Sequence, residues 1–370
     1  MKILFFIQTL IGGGAERVTV NLSEEFVRRG HNVTIALTDN IIDYNIDPRI
    51  KIVVYPSAYD YKGHIVLVRK LYSFLNRVKD NIDTKRIINR IKPDVIVASW
   101  GSKVESILRY HGKIPAISSE HNTFDREHAQ WERKLRFFTN KKFNKVVVLT
   151  EYDKEFVKDY LNNTLVIPNP LTFNPISKEE FRNTYSCRKN LLACGRINAY
   201  LIKGFDNLII AFAKIAAKYP HWDLDIAGEG SEENINKLKK LAQEEGVGDR
   251  IHFLGFCRNI GEIMKQHSIF VLSSRSEGFG MVVTEAMAMG CTCLSFALTG
   301  PSEIIESGVD GILVENQNID KLSEAMSNLM QDEDLRIRLS ENALNSVRRF
   351  TVDRIADQWE YLFNKLILNE

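Results

Sequence analysis

The sequence predicts an α/β protein made of two doubly wound domains. Three observations carry that reading. Short, continuously apolar runs alternate with amphipathic helical segments, the pattern of parallel strands covered on both faces. The alternation breaks into a polar stretch after Pro168-Asn169-Pro170 and then starts afresh. The chain has 370 residues, too many for one ordinary core and ample for two domains of about 150–200 each.

In the first half, residues 3–8 read as a buried strand, followed by three glycines and a helix over 17–29 with Val18, Leu22 and Phe26 on one face. The opening run begins like a secretion signal. It is too short, however, and ends in glycines and a charged pair with no small-residue cleavage site, so it is read as a strand of a soluble protein. Strands follow at 31–38, 51–55, 94–99, 116–119, 146–150 and 166–168, with a basic helical region between the third and fourth. After the polar stretch to Lys189, strands are expected at 190–194, 223–227, 251–254, 269–273, 291–296 and 311–314. Helices fall at 204–219, 232–245, 260–266, 282–289 and 301–306, and two more trail at 319–331 and 335–349. A last helix over 352–368 is long enough to run back across the first domain. The expected division is 1–175 with the returning segment 351–370, and 176–350. Ligands should lie outside the strand C-termini, in a cleft between the two.

Composition narrows the function. With 44% hydrophobic and 26% charged residues, 9 Pro and 21 Gly, the chain is neither disordered nor collagen-like. Its five cysteines (Cys187, Cys194, Cys257, Cys291, Cys293) form no CxxC and read as reduced thiols of a cytoplasmic protein. No stretch approaches the ~18–20 apolar residues of a membrane span. The net charge of +2 hides an asymmetry of +8 over residues 1–170 and −6 over 171–370. The basic excess centres on 62–92, with Lys62, Arg69, Lys70, Arg77, Lys79, Lys85, Arg86, Arg90 and Lys92 against Asp80 and Asp83. Leu67, Leu71, Phe74, Leu75 and Val78 recur there at helical spacing. A solvated helix face is one reading, and a surface for anionic lipid or a lipid phosphate is the other. Nothing points to nucleic acid.

The strongest chemical signal is Glu277-Gly278-Phe279-Gly280-Met281-Val282-Val283-Thr284-Glu285, which follows an apolar strand and opens a helix. Glycines at such a turn let backbone N–H groups approach an anion at the helix N-terminus. Eight helical residues span about 12 Å, the order of a diphosphate between two sugars. Carboxylates, which only accept hydrogen bonds, suit hydroxyls at both ends. Gly195-Arg196 closes the second domain's first strand and Lys203-Gly204 opens the next helix, bringing two cations to the same edge for a diphosphate leaving group. Gly228-Glu229-Gly230 ends another strand there. Asp223-Leu224-Asp225 spells a metal-binding DxD but begins a strand, far from that edge, so no metal or other cofactor is expected.

These residues together resemble the family 4 retaining glycosyltransferases with the two-Rossmann GT-B fold. The family's paired glutamates match Glu277 and Glu285, its phosphate-holding cations match Arg196 and Lys203, and its glycine-rich first turn matches Gly12-Gly13-Gly14 before Ala15-Glu16-Arg17. That run and Ser119-Glu120-His121 are similar to bacterial members that extend polysaccharide or lipid-linked oligosaccharide precursors. Gly300-Pro301-Ser302-Glu303 stands where many members carry a turn before a short helix. The resemblance implies a donor site of Gly13, Gly14, Arg196, Lys203, Glu229, Phe256, Gly278, Phe279, Gly280, Met281, Val282 and Glu285. Catalysis would fall to Glu277, His121, Arg196 and Lys203, with Glu277 on the donor hexose and Glu285 on the ribose. Glu16, Arg17, Trp100, Ser102, Glu120 and Asn122 would meet the acceptor.

The donors it implies are UDP-GalNAc, UDP-GlcNAc or UDP-galactose. The acceptor is a glycan, polyprenyl-diphosphate-linked in the fuller reading, which would place the enzyme in the cytoplasm, peripheral at the inner face of the cell membrane. The basic 62–92 segment and Arg126, Arg133, Lys134, Arg136, Lys141 and Lys142 would approach such an acceptor. The competing readings are a nucleotide-sugar epimerase on the same frame and a non-catalytic nucleotide-sugar-binding protein. A dinucleotide oxidoreductase is disfavoured because the first turn lacks GxGxxG.

Overall fold

The structure, a computed structural model, describes residues 1–56, 66–99, 104–124, 130–185 and 188–368. The chain divides into two compact units, Met1–Thr172 with Val352–Glu370, and Phe173–Thr351.

The first unit is built on seven parallel strands: β1 (Lys2–Ile7), β2 (Asn32–Leu37), β3 (Lys51–Val54), β4 (Val95–Ser99), β5 (Ala116–Ser119), β6 (Lys145–Val148) and β7 (Thr164–Val166). Their spatial order is β3-β2-β1-β4-β5-β6-β7. Ile3 lies opposite Val33 on one side and Val95 on the other. All five residues of β4 are buried, as a central parallel strand requires. The order reverses between β1 and β4, and that switch point is where a doubly wound sheet leaves a crevice at its C-terminal edge.

On one sheet face the helix Gly14–Arg28 meets the returning helix Val352–Leu368. Phe26 packs 6.4 Å from Phe5 and 5.6 Å from Phe363. Arg29 binds Asp357 and Glu360 at 2.6 Å each, and His31 meets the other oxygen of Glu360 at 2.5 Å. The contact therefore combines an apolar centre with a charged rim. On the other face Ile87, Ile88, Ile107, Val157 and Leu161 join Phe6, Ile96 and Val146 in one core.

The second unit repeats the design with six parallel strands: β8 (Lys189–Cys194), β9 (Leu224–Ala227), β10 (Ile251–Gly255), β11 (His267–Leu272), β12 (Thr292–Phe296) and β13 (Ile312–Val314). The order is β10-β9-β8-β11-β12-β13, with its switch point between β8 and β11. Leu191, Ile226, Ile269 and Leu294 form its centre with Phe205, Phe212, Phe296 and Leu322.

One segment departs from the sequence reading. The polar stretch before Lys189 contains a helix, Lys178–Tyr185. It docks through Phe181 and Tyr185, one turn apart and both buried. Two apolar residues in a long polar run leave too faint a period to detect, but they suffice when a core waits beneath them.

Candidate functional site

The second unit's switch point collects the residues that the sequence singled out. Arg196 stands beyond the end of β8, after Gly195, and is exposed, while Lys203 ends a short helix, Tyr200–Lys203. Glu277 lies in the loop after β11. Lys203 Nζ donates to Glu277 Oε1 at 2.7 Å, and Ser274 Oγ donates to the same oxygen at 2.7 Å. The stem of Lys203 lies against Gly195, where an added Cβ would stand 3.1 Å from its Cγ. A cation, a carboxylate and the exposed Arg196 therefore share one strand edge, the pattern suited to an anionic group attached to a hydroxyl-bearing one.

Sequence reasoning missed what holds this pair in place. Residues 273–275 take up three successive carbonyls at the end of the Lys203 helix. Ser273 Oγ donates to Lys203 O at 3.1 Å, the Arg275 N–H donates to Ile202 O at 2.7 Å, and the Arg275 guanidinium donates to Leu201 O. The same guanidinium grips Asp206 with two 2.7 Å bonds and reaches Asn207 at 3.0 Å. Helix ends leave carbonyls without intrahelical partners, so a neighbouring loop can claim them. Here the claiming loop is the one that carries Glu277. Only a long fork of donors can do this, and Arg275 directly follows Ser274 in a run with no motif to mark it.

Glycines mark the close approaches. Gly204 is left-handed at φ +65, and a Cβ there would lie 1.8 Å from the Ser273 carbonyl oxygen. A Cβ on Gly228 would meet the Gly195 oxygen at 1.8 Å, which is how the ends of β8 and β9 come together. Gly300 lets its turn press on the Phe279 backbone, where a Cβ would come within 2.2 Å of the carbonyl oxygen. The Phe279 side chain is buried and packs edge-on against Phe350 at 5.5 Å, so only its backbone is left to meet a ligand. Gly280, at φ +93, caps the helix Met281–Ala288, with Met281 and Val282 half-buried in its first turn. Glu285 sits on that helix, only 2% exposed, and its charge adds to the burial that pushes the Cys194 thiol up at the end of β8. Glu229 is exposed beyond β9, and Phe256, beyond β10, is 71% exposed. An aromatic ring so exposed is an available stacking surface.

The DxD carboxylates are engaged elsewhere. Asp223 pairs with Arg250 at 2.6 Å and Asp225 with His267 at 2.7 Å, at the start of β9, the far end of the strand from the site. Among the described residues no group of three or more His, Cys, Asp or Glu is arranged to hold a metal. Cys194, Cys291 and Cys293 are buried free thiols, and burial pushes Cys291 up to about 12.

In the first unit, His121 follows β5 at the C-terminal edge. Its Nε2 lies 3.2 Å from Ser119 Oγ. Burial pushes its imidazole down to about 4, against the opposing pull of Glu120 and Asn169, so it is neutral at pH 7. Gly13 and Gly14 open the helix Gly14–Arg28 beyond β1, with Glu16 and Arg17 half-buried in its first turn.

Two expectations need correcting here. Glu120 is 2% exposed, and both its oxygens are taken. Arg136 binds one at 2.7 Å, while Asn140 and Ser118 bind the other at 2.7 and 3.1 Å. It cannot offer them to an acceptor. Arg136, expected on a basic surface, is buried and also donates to the carbonyls of Asn122 and Thr123. The pair shapes the turn that carries His121 and the exposed Asn122, because a buried charge persists only when paired and hydrogen-bonded. Trp100, Ser102, Arg126, Lys62 and Cys187 lie outside the described residues, as does the Arg69 side chain.

Two measurements follow. Gly204→Ala should cost about 2 kcal/mol or more of stability in urea unfolding, from a backbone clash added to a left-handed strain. For His121, the unfolded imidazole takes up a proton near its ordinary 6.5 while the folded one resists until about 4. Stability should therefore fall as pH drops through that window, and His121→Asn should remove that part of the fall.

Comparison with known proteins bears on the family and the fold. Residues 12–172 match the family model Glycosyltransferase Family 4, and residues 177–346 match Glycosyl transferases group 1. An uncharacterized glycosyltransferase of Haemophilus influenzae is 26% identical over 97% of this chain and 99% of its own length. A Campylobacter jejuni alpha-1,4-N-acetyl-D-galactosaminyltransferase, whose name gives a diNAcBac-PP-undecaprenol glycan, is 24% identical over 97% of each chain. The solved structure of Anabaena HepE in complex with UDP and glucose has a TM-score of 0.76 at 19% identity, covering 99% of this chain and 100% of that one. With two parallel Rossmann-like sheets and both family models in tandem, the chain belongs to the family 4 glycosyltransferases of the GT-B fold.

Proposed function

We propose that this enzyme moves a hexose or N-acetylhexosamine from a UDP-sugar to a lipid-linked glycan, with retention of anomeric configuration. The setting is bacterial surface polysaccharide or oligosaccharide assembly at the inner face of the cell membrane. The observation that carries the reading is the Lys203–Glu277 pair beside exposed Arg196 at the β8/β11 switch point. Breaking the sugar–phosphate bond builds negative charge on the leaving diphosphate. Preorganised cations and a helix N-terminus stabilise it where it develops. Glu277 is then the acceptor for hexose hydroxyls, and buried Glu285 the one for the ribose pair. Phe256 supplies an aromatic face at the base end.

Neutral His121 suits a hydrogen bond to the transferring sugar better than a fixed positive charge beside a cationic transition state. In this reading the acceptor hydroxyl attacks the anomeric carbon from the side the diphosphate leaves, and its proton passes to the departing phosphate oxygen. Support for the donor comes from the UDP in the HepE complex, and for the acceptor from the polyprenyl-diphosphate name of the Campylobacter relative. Among donors, UDP-GalNAc ranks before UDP-GlcNAc and UDP-galactose.

Mass spectrometry of reactions with each UDP-sugar and a bacterial lipid extract tests this. Release of UDP with a heavier lipid is expected. Lys203→Ala should lower turnover by roughly 10²–10³-fold, the usual loss on removing one such donor. Binding of UDP without turnover on any donor and lipid extract would contradict the transferase reading.

A further inference from the structure

The aromatic packing of the first unit runs out of its core and onto its surface. Phe124, buried beneath the Arg136 guanidinium, stacks on Phe137 with centroids 5.6 Å apart and planes 6° from parallel. Phe137 stacks in turn on Tyr160 at 4.7 Å and 12°. The column ends there, on a ring that is 54% exposed. Two more rings join it. The helix Glu151–Val157 turns Asp153 and Val157 inward and leaves Tyr152 and Phe156, one turn apart, 45% and 37% exposed. Their planes lie 18° from parallel with centroids 6.2 Å apart. Single exposed aromatics are ordinary, but three at successive turns, each held by stacking, form a contiguous surface suited to binding.

Its position ties it to the site. The helix starts directly after β6, at the sheet's C-terminal edge, where the Thr150 hydroxyl caps it by accepting the Asp153 N–H at 3.0 Å. Asp153 Oδ1 accepts the Phe124 N–H at 3.1 Å, from the turn that carries His121. Tyr152, in the first turn, therefore stands at the edge that carries His121, and Phe156 and Tyr160 lead away from it. Eight residues of helical rise span about 12 Å, too long for one sugar and suited to a short oligosaccharide.

The surroundings select the ligand. Glu155 stands one turn on from Tyr152 and Asp159 one turn on from Phe156, both exposed. The lysines of the stretch are engaged, Lys154 with Glu151 at 3.0 Å and Lys158 with Glu155. An anionic bilayer would meet the acids unfavourably, and a second copy of the chain would set the same acids against each other. A sugar suits both features. Its C–H face lies flat on an aromatic ring, and its hydroxyls donate to carboxylates, which only accept.

We propose that Tyr152, Phe156 and Tyr160 form a stacking surface for the acceptor glycan, seating the sugars behind the one that is extended, with Glu155 and Asp159 taking their hydroxyls. The enzyme thereby favours an acceptor of several sugars over a short one. This deepens the functional reading above and rests on it for the presence of a glycan acceptor.

The probe is glycans released by mild acid from a bacterial lipid extract and separated by length. Binding to the full chain is read by equilibrium dialysis, and UDP affinity and urea unfolding are measured on every variant. The wild-type chain should bind the tetrasaccharide and longer fractions more tightly than the disaccharide. Tyr152→Ser alone should weaken the long fractions by roughly fivefold, and adding Phe156→Ser should remove the length preference, with UDP affinity unchanged. Tyr152→Phe should keep the preference, because the ring face carries the contact. Equal affinity for short and long fractions in the wild-type chain overturns the proposal, as does a folded serine variant that keeps the preference. So does a double serine variant that binds glycans normally but no longer floats with phosphatidylglycerol vesicles that carry the wild-type chain. Length-dependent binding without transfer from any UDP-sugar contradicts the transferase reading and leaves the stacking surface standing.

Discussion

The second unit is organised around one hydrogen-bonded ion pair, Lys203 Nζ to Glu277 Oε1 at 2.7 Å. A carboxylate set beside a diphosphate would repel it unless a cation stands between them. Lysine is a flexible point charge on a long stem, so its placement must come from its surroundings. The loop that carries Glu277 supplies it, by capturing the carbonyls of Leu201, Ile202 and Lys203 through Arg275 and Ser273. Cation and anion are thereby carried on two loops joined as one piece. Gly204 follows from this, since a Cβ there would meet the Ser273 carbonyl oxygen at 1.8 Å and push the two loops apart.

The first unit solves a similar problem with a different pair. Glu120 and Arg136 are both buried, hydrogen-bonded on every side, and withdrawn from any ligand. Their work is to fix the turn from His121 to Phe124, whose ring lies 3.7 Å beneath the Arg136 guanidinium. In the second unit the ion pair is itself exposed at the site, while in the first it shapes the backbone on which His121 rides. The difference is exposure. Lys203 and Glu277 keep a face to solvent, and Glu120 and Arg136 do not.

The alternation of strands and helices was legible because parallel strands buried on both faces are continuous apolar runs, and β4, β11 and β12 are such strands. The nearness of Lys203 and Glu277 was legible because both stand in strand-to-helix connections at the C-terminal edge of one sheet. What stayed hidden was anything fixed by contacts between segments distant in sequence. Arg275 reaches back across 69 residues to Asp206, and Glu120 is consumed by an arginine sixteen residues on. The period of Leu71, Phe74 and Val78 marked a helix correctly. Periodicity alone does not say which way a stripe points, and here it points to solvent.

The most direct measurement is a crystal structure of the chain with UDP bound. The diphosphate oxygens should lie within about 3 Å of Lys203 Nζ and the Arg196 guanidinium, with Glu277 still beside the lysine and the ribose hydroxyls on Glu285. A nucleotide seated anywhere else, or a Glu277 carboxylate swung away from Lys203 with the diphosphate remote from both cations, would contradict the account.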